Sequence, residues 1–247
     1  MAIDVHLAVG LHGGEAYQAS TVAALFDGAY EGDLTVGELL EHGDLGLGTV
    51  DALDGELVVV DGEAWRADVD GRLHHVAPST GTPFAVVTRF RPLEEAVLPG
   101  PLDHAALLTW LDDLAAGETT YAIRIDARHA RVHARSVPRQ TPPYRPLAEV
   151  AADQREFDLR DVGATLVGFR FPAPAAGVEV AGFHLHVVDD DRSRGGHVLD
   201  AALAEGVAWI APLHDLHVEL PPGVELPAAP SDADRATLRR IEGGGAS

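Results

Sequence analysis

The stretch Gly182-Phe-His-Leu-His-Val-Val-Asp-Asp-Asp-Arg-Ser-Arg-Gly-Gly-His197 decides how this chain is read. On a strand, side chains alternate between faces, so His184 and His186 share one side and stand next to each other. A reversal through Asp189 to Gly196, eased by two glycines, returns His197 to the same point on the next strand. Three imidazoles with a further open position are a usual catalytic arrangement for zinc, and neutral imidazole suits other divalent metals as well. The three aspartates of the turn lack the glycine and glutamate spacing of a calcium loop, so they read as a solvated reversal. The chain has 13 histidines; chance neighbours such as His74-His75, or His214 with His217, carry no such pattern.

Outward from this stretch the reading is of short strands and few helices. On the C-terminal side, strands are expected at Ala164 to Phe171, Val178 to Val188, His197 to Ala202 and Val207 to Ala211. A polar, proline-rich stretch from Pro221 to Pro230 leads to a last helix over Asp232 to Ile241. The segment Pro138 to Pro146 can neither continue a helix nor pair centrally in a sheet, which makes it a domain boundary: residues 1–137 form one unit and 138–247 another. A short helix over Leu147 to Phe157 follows it. Before it, a hairpin from Tyr121 to Val137 places Arg131, His133 and Arg135 on one face. Asp103 caps a helix from His104 to Leu114, and Phe84 to Phe90 reads as a strand. Asp54-Gly55, Asp61-Gly62 and Asp70-Gly71 punctuate an antiparallel meander between Leu45 and Val76. The first ~45 residues read as helical, with Thr21 or Ser20 capping Val22 to Phe26 and a capping box at Thr35 to Glu38.

Composition narrows the function. The formal charge is -21, from 39 acidic against 18 basic residues, and every basic residue is arginine. Such a surface repels nucleic-acid phosphates and anionic lipid, so neither is an expected partner, and it suits a salt-rich cytoplasm. It also repels an anionic substrate unless arginine or a metal reverses the field locally. Cysteine is absent, which excludes disulfides, thiolate metal sites and a cysteine nucleophile. The missing lysine excludes a Schiff base and a P-loop, so the glycines of Gly43 to Gly48 open a strand rather than cradle phosphate. No leader and no membrane span is legible, and a cytoplasmic location is expected.

Several blocks together are more specific than any single motif. Asp-Leu-Gly-Leu-Gly-Thr (44–49), Leu-Asp-Gly-Glu-Leu (53–57), Arg-Gln-Thr-Pro-Pro-Tyr-Arg-Pro-Leu (139–147), Gly-Ala-Thr-Leu-Val-Gly-Phe-Arg (163–170), Gly-Phe-His-Leu-His (182–186) and Gly-Gly-His-Val (195–198) resemble, in order and spacing, the signature blocks of the acetolactate decarboxylase family. The resemblance runs from about Tyr17 to Glu242. It implies a two-domain α/β (α+β-like) homodimer of mixed sheets and short helices, with the N-terminal sheet continued across the dimer interface. It implies zinc on His184, His186 and His197, catalytic roles for Glu56, Arg135 and Glu242, and substrate binding by Thr49 and Arg135. A terminal helix would return to the active site to deliver Glu242. The chain departs from the family pattern in its acidity, in Val178-Glu179-Val180 and in its glycine-rich tail.

The implied reaction takes 2-acetolactate to acetoin and carbon dioxide. The adjacent ketone and hydroxyl oxygens of that substrate can chelate one metal ion, whose Lewis acidity stabilises the enediolate left by carbon dioxide. Arginine is bidentate and permanently charged, so Arg135 suits the substrate carboxylate, although spacing alone does not separate it from Arg131. Glu56 and Glu242 are then the proton-transfer groups. Two other readings use the same histidines: a cupin-like metal enzyme, whose second motif is not seen, and a non-catalytic metal-binding module, which has no need of Glu56 and Arg135.

Overall fold

The computed structural model describes residues 14–224. The expected helix over Asp232 to Ile241 and Glu242 lie outside the described residues. In chain order the elements are β1 (Gly14–Ala19), α1 (Val22–Phe26), β2 (Leu34–Thr35), α2 (Val36–Leu40), β3 (Leu45–Thr49), β4 (Glu56–Val60), β5 (Glu63–Ala67), β6 (Leu73–His75), β7 (Gly81–Thr82), β8 (Ala85–Thr88), β9 (Glu94–Val97), α3 (His104–Leu114), β10 (Tyr121–Ser136), α4 (Leu147–Val150), β11 (Arg155–Phe171), β12 (Gly182–Asp189) and β13 (Gly195–Glu219). This is a sheet-dominated mixed fold with short helices, as expected.

Two layers make up the molecule. Strands β1, β8, β3, β4, β5 and β6 form the first, and β10, β11, β12 and β13 form the second. In the second layer β10 pairs with β11, β11 with β12, β12 with β13 and β13 again with β10, so the hydrogen-bonding order closes on itself. β13 then runs on to pair parallel with β1, the one parallel contact in a sheet of otherwise antiparallel pairs among the described strands. Leu45, Leu47, Val58 and Val60 of the first layer meet Val167, Phe169, Phe171 and Val188 of the second. Burying each such side chain contributes roughly 1.5–3 kcal/mol, so this seam is a main source of cohesion between the layers. The other face of the second layer is covered by α3 through Leu107 and Leu111.

Local signals explain the helices. Thr21 accepts from the Ala24 amide, Asp103 accepts from the Ala106 amide, and Thr35 with Glu38 forms the reciprocal capping box. The meander is as expected, with Asp61 and Gly62 both in the left-handed region at the β4–β5 turn.

Four expectations are corrected. The first ~45 residues are not all helical: Gly14–Ala19 is a strand between β13 and β8. All of Tyr17 to Ala19 is buried on both faces, so the period-2 signature is missing. The expected hairpin over Tyr121 to Val137 is a single strand, for which the face switch described below accounts. The strands expected at 197–202 and 207–211 are one, β13. Gly206, between the two expected strands, sits where a Cβ would stand 2.5 Å from Ala127 Cβ, so glycine serves close packing against β10. Finally, the helix expected over Leu147 to Phe157 gives way early: Arg155 onward pairs with β10, and ladder pairing overrides local propensity. The edge strand β9, rich in glutamate, was not expected.

Candidate active site

The histidines come together as their spacing required. In the β12–β13 pairing His186 lies opposite His197, and His184 stands two residues along on the same face, toward the first layer. Asp189 closes this hairpin by accepting from the Ser193 and Arg194 amides at 2.7 and 2.9 Å and from the Ser193 hydroxyl at 2.7 Å. Asp190 and Asp191 are exposed. The reversal is a stapled turn, with its first aspartate drawn inside.

The available nitrogen atoms of His184, His186 and His197 all lie within 4.8 Å of one another, and the three side chains are buried. His186 Nδ1 donates to the Leu57 carbonyl of β4 at 2.7 Å. That bond fixes the tautomer, so Nε2 carries the lone pair and faces His197 Nδ1 at 3.3 Å. Burial, with the nearby Arg135 charge, pushes the His184 pKa down to about 3. Burial, then His184 and Arg135, holds His186 well below its ordinary value. Three converging buried imidazoles, two of them (His184 and His186) held neutral at pH 7 and one with its tautomer pinned by a carbonyl, fit a divalent cation.

Glu56 enters from the first layer. On β3 and β4 the inward row is Leu45, Leu47, Thr49 against Glu56, Val58, Val60, so the apolar seam ends in a threonine and a carboxylate where the histidines begin. Glu56 Oε2 is 3.7 Å from His186 Nε2, and its Oε1 accepts from Arg135 Nη1 at 2.6 Å. Both partners of this ion pair are buried. Thr49 is buried at the same end and donates its hydroxyl to the Gly55 carbonyl at 2.8 Å.

Arg135 is delivered by a switch of faces within β10. Tyr121, Ile123 and Ile125 point into the α3 core, and so do Val132 and Ala134, which means the parity changes between them. The change falls where Ala130 and Asp161, both exposed, drop out of the β10–β11 ladder, with Asp161 in the left-handed region at φ 51°. β13 slips register at the same place. One extra residue in a strand moves every following side chain to the opposite face. Without it Arg135 would enter the α3 core; with it Arg135 lies opposite His197 in the ladder, on the side of the histidines. Arg131 is placed differently, half-exposed and bound to Asp158 and Asp200 at 2.8 and 3.1 Å.

Thr49, Glu56, Arg135 and His184 thus line a common cleft, closed on its other sides by Val22, Leu25, Leu53, Phe84, Val137, Leu147 and Val180. The space bounded by the described residues is about 430 Å³, counting its open mouth. Reasoning from sequence missed this apolar wall and the Leu57 carbonyl. Apolar residues from loops and short helices carry no individual signal, and a backbone acceptor carries none in any sequence. Outside the histidine trio, no other group of three or more histidine and acidic side chains is arranged to hold a metal among the described residues.

Comparison with known proteins bears on this cleft. Residues 16–228 match the family model for alpha-acetolactate decarboxylase. The alpha-acetolactate decarboxylase of Methylococcus capsulatus is 42% identical over 219 residues, covering 88% of this chain and 84% of that protein. The Klebsiella aerogenes protein of the same name is 39% identical over 92% of this chain and 88% of its own length. The crystal structure of alpha-acetolactate decarboxylase from Bacillus subtilis strain 168 superposes with a TM-score of 0.88 at 33% identity, covering 93% of this chain and 99% of that one.

Proposed function

Because the chain belongs to the alpha-acetolactate decarboxylase family, we propose that it converts 2-acetolactate to acetoin and carbon dioxide, using a divalent ion, zinc by first choice, on His184, His186 and His197. The observation that carries this reading is the convergence of three buried imidazoles with the Glu56–Arg135 pair, beside a cleft that His184, Glu56 and Arg135 line. A simple metal-binding module needs no such pair. When bound, the metal supplies Lewis acidity to the substrate ketone.

The residues of the chain do the rest. Arg135 presents a fixed, delocalised cation to the carboxylate of an anionic substrate, against the net charge of -21 carried by the whole chain. The apolar wall withholds water from that carboxylate, which disfavours the charged group relative to neutral carbon dioxide. The reaction takes up one proton at the carbon that loses carbon dioxide. Glu56, between Arg135 and His186, stands where a carboxyl group can accept the substrate hydroxyl proton or supply the carbon-bound one. Glu242 is proposed as its counterpart. The same family membership supports assembly as a homodimer with the N-terminal sheet continued across the interface, and light scattering at chromatographic elution tests it.

The reading is tested by assaying acetoin formation from 2-acetolactate before and after chelation. Activity should vanish with the ion and return on adding zinc or a neighbouring divalent metal; turnover that persists in a chelated, metal-free protein would sink it. A second measurement addresses Glu242. Truncation after Ile241 should leave a folded, metal-loaded protein whose turnover falls by about 10²-fold, a typical contribution of a proton-transfer group. Truncation after Glu242 should leave turnover nearly intact. Equal activity in the two would make Glu242 a bystander.

A further inference from the structure

Nothing in the proposed chemistry uses Thr82, yet its side chain is fully buried and its hydroxyl donates to the Thr49 carbonyl at 2.8 Å. Thr49 in turn donates its own hydroxyl to the Gly55 carbonyl at 2.8 Å. That carbonyl belongs to the peptide that opens Glu56. The two hydroxyls therefore form a relay across the mouth of the β3–β4 connection, from β7 to the residue that leads into the proton-transfer group.

The connection needs such a clamp. Ala52 and Leu53 have φ of 62° and 50°, and Gly55 has φ of 88°. Left-handed backbone at ordinary residues persists only where the surroundings over-determine it, and it concentrates at functional sites. Here the surroundings are explicit. The Ala52 amide donates to the Tyr30 carbonyl, and the Gln140 amide donates to the Ala52 carbonyl, both at 2.7 Å. At Gly55 a Cβ would stand 2.0 Å from the Ala67 carbonyl, so the chain passes hard against β5 just before Glu56.

We propose that Thr82 is a positioning residue: through Thr49 and the Gly55 carbonyl it fixes the left-handed turn that aims the Glu56 carboxylate between Arg135 and His186. Thr49 then acts through backbone, its one hydroxyl proton being directed to Gly55 rather than to substrate. The inference rests on the proposed role of Glu56.

Thr82→Val keeps shape and removes the donor; Thr82→Ser keeps the donor. Both are to be made in the natural chain and in a Glu56→Gln chain, with kcat, KM, metal content and Tm measured. In the natural chain Thr82→Val should lower kcat by about 10- to 100-fold, the scale of a small misplacement of a catalytic group, with KM and metal content unchanged. Thr82→Ser should recover most of it. In the Glu56→Gln chain, where there is no carboxylate left to aim, Thr82→Val should change kcat by less than about twofold. Should valine prevent folding, Thr82→Ala carries the same comparison. An unchanged kcat in Thr82→Val, an equal loss in both backgrounds, or no recovery with serine overturns the relay. If Glu56→Gln itself turns over like the natural chain, the assignment of Glu56 fails and the relay falls with it. A slow Glu56→Gln beside a fast Thr82→Val defeats the relay alone.

Discussion

His186→Ala is expected to remove the bound divalent ion and acetoin formation together, reducing turnover by at least about 10³-fold, because a three-ligand site that loses one imidazole no longer competes for metal at trace concentrations. His186 is chosen over its two neighbours for a structural reason. Its Nδ1 proton is already committed to the Leu57 carbonyl at 2.7 Å, so its orientation is held from the opposite layer. Alanine there also deletes a buried hydrogen bond, a loss of about 0.5–1.5 kcal/mol that should appear as a lower Tm in the metal-free protein. Metal analysis of the purified variant decides the matter, with His75→Ala, an exposed residue of β6, as control. One ion per chain and full turnover in His186→Ala would place the centre elsewhere.

Arg135 is the second large effect. Arg135→Ala deletes the partner of Glu56 in an ion pair whose members are both buried, and breaking such a pair typically destabilises by about 3–5 kcal/mol. Arg135→Lys restores a charge, but a point charge on a flexible stem does not reproduce the planar, bidentate fork of a guanidinium. Both variants should lose about 10²-fold or more in kcat/KM, the loss usual when one preorganised donor to reacting charge is removed. The lysine variant should keep its fold and its metal. Full activity in Arg135→Lys would move the carboxylate contact to another residue. Arg131 is a poor substitute, held half-exposed by Asp158 and Asp200.

What was legible in the sequence follows from the range of the forces involved. His184, His186 and His197 were readable because a strand, a tight turn and a second strand are local, and their geometry follows from period-2 alternation and two glycines. The caps at Thr21, Thr35 and Asp103 were readable for the same reason. Glu56 and Arg135 were nominated by resemblance. Neither the face switch at Ala130 and Asp161 nor the contact between layers has a local signature. The same switch misled the reading of β10, since a change of parity in one continuous strand looks like the two arms of a hairpin. β1 was invisible because a strand buried on both faces has no alternation to detect. At Gly206, inside β13, a glycine required by close packing and a glycine required by a turn are the same letter.

The parallel pairing of β1 with β13 bears on how the chain reaches this state. Gly14 is partnered with Leu213, so the first described strand meets its neighbour only after about two hundred intervening residues are available, and loop closure over such distances slows folding. The meander from β3 to β6 and the β12–β13 hairpin involve short-range contacts and can assemble early. During synthesis β1 must wait, with one of its own edges unpaired while β8 covers only the other. An unpaired, apolar strand edge is a template for association with other chains. High net negative charge keeps such waiting chains apart, and at -21 this sequence carries a strong version of that protection. The acidity that makes an anionic substrate harder to admit thus serves the interval before the fold closes.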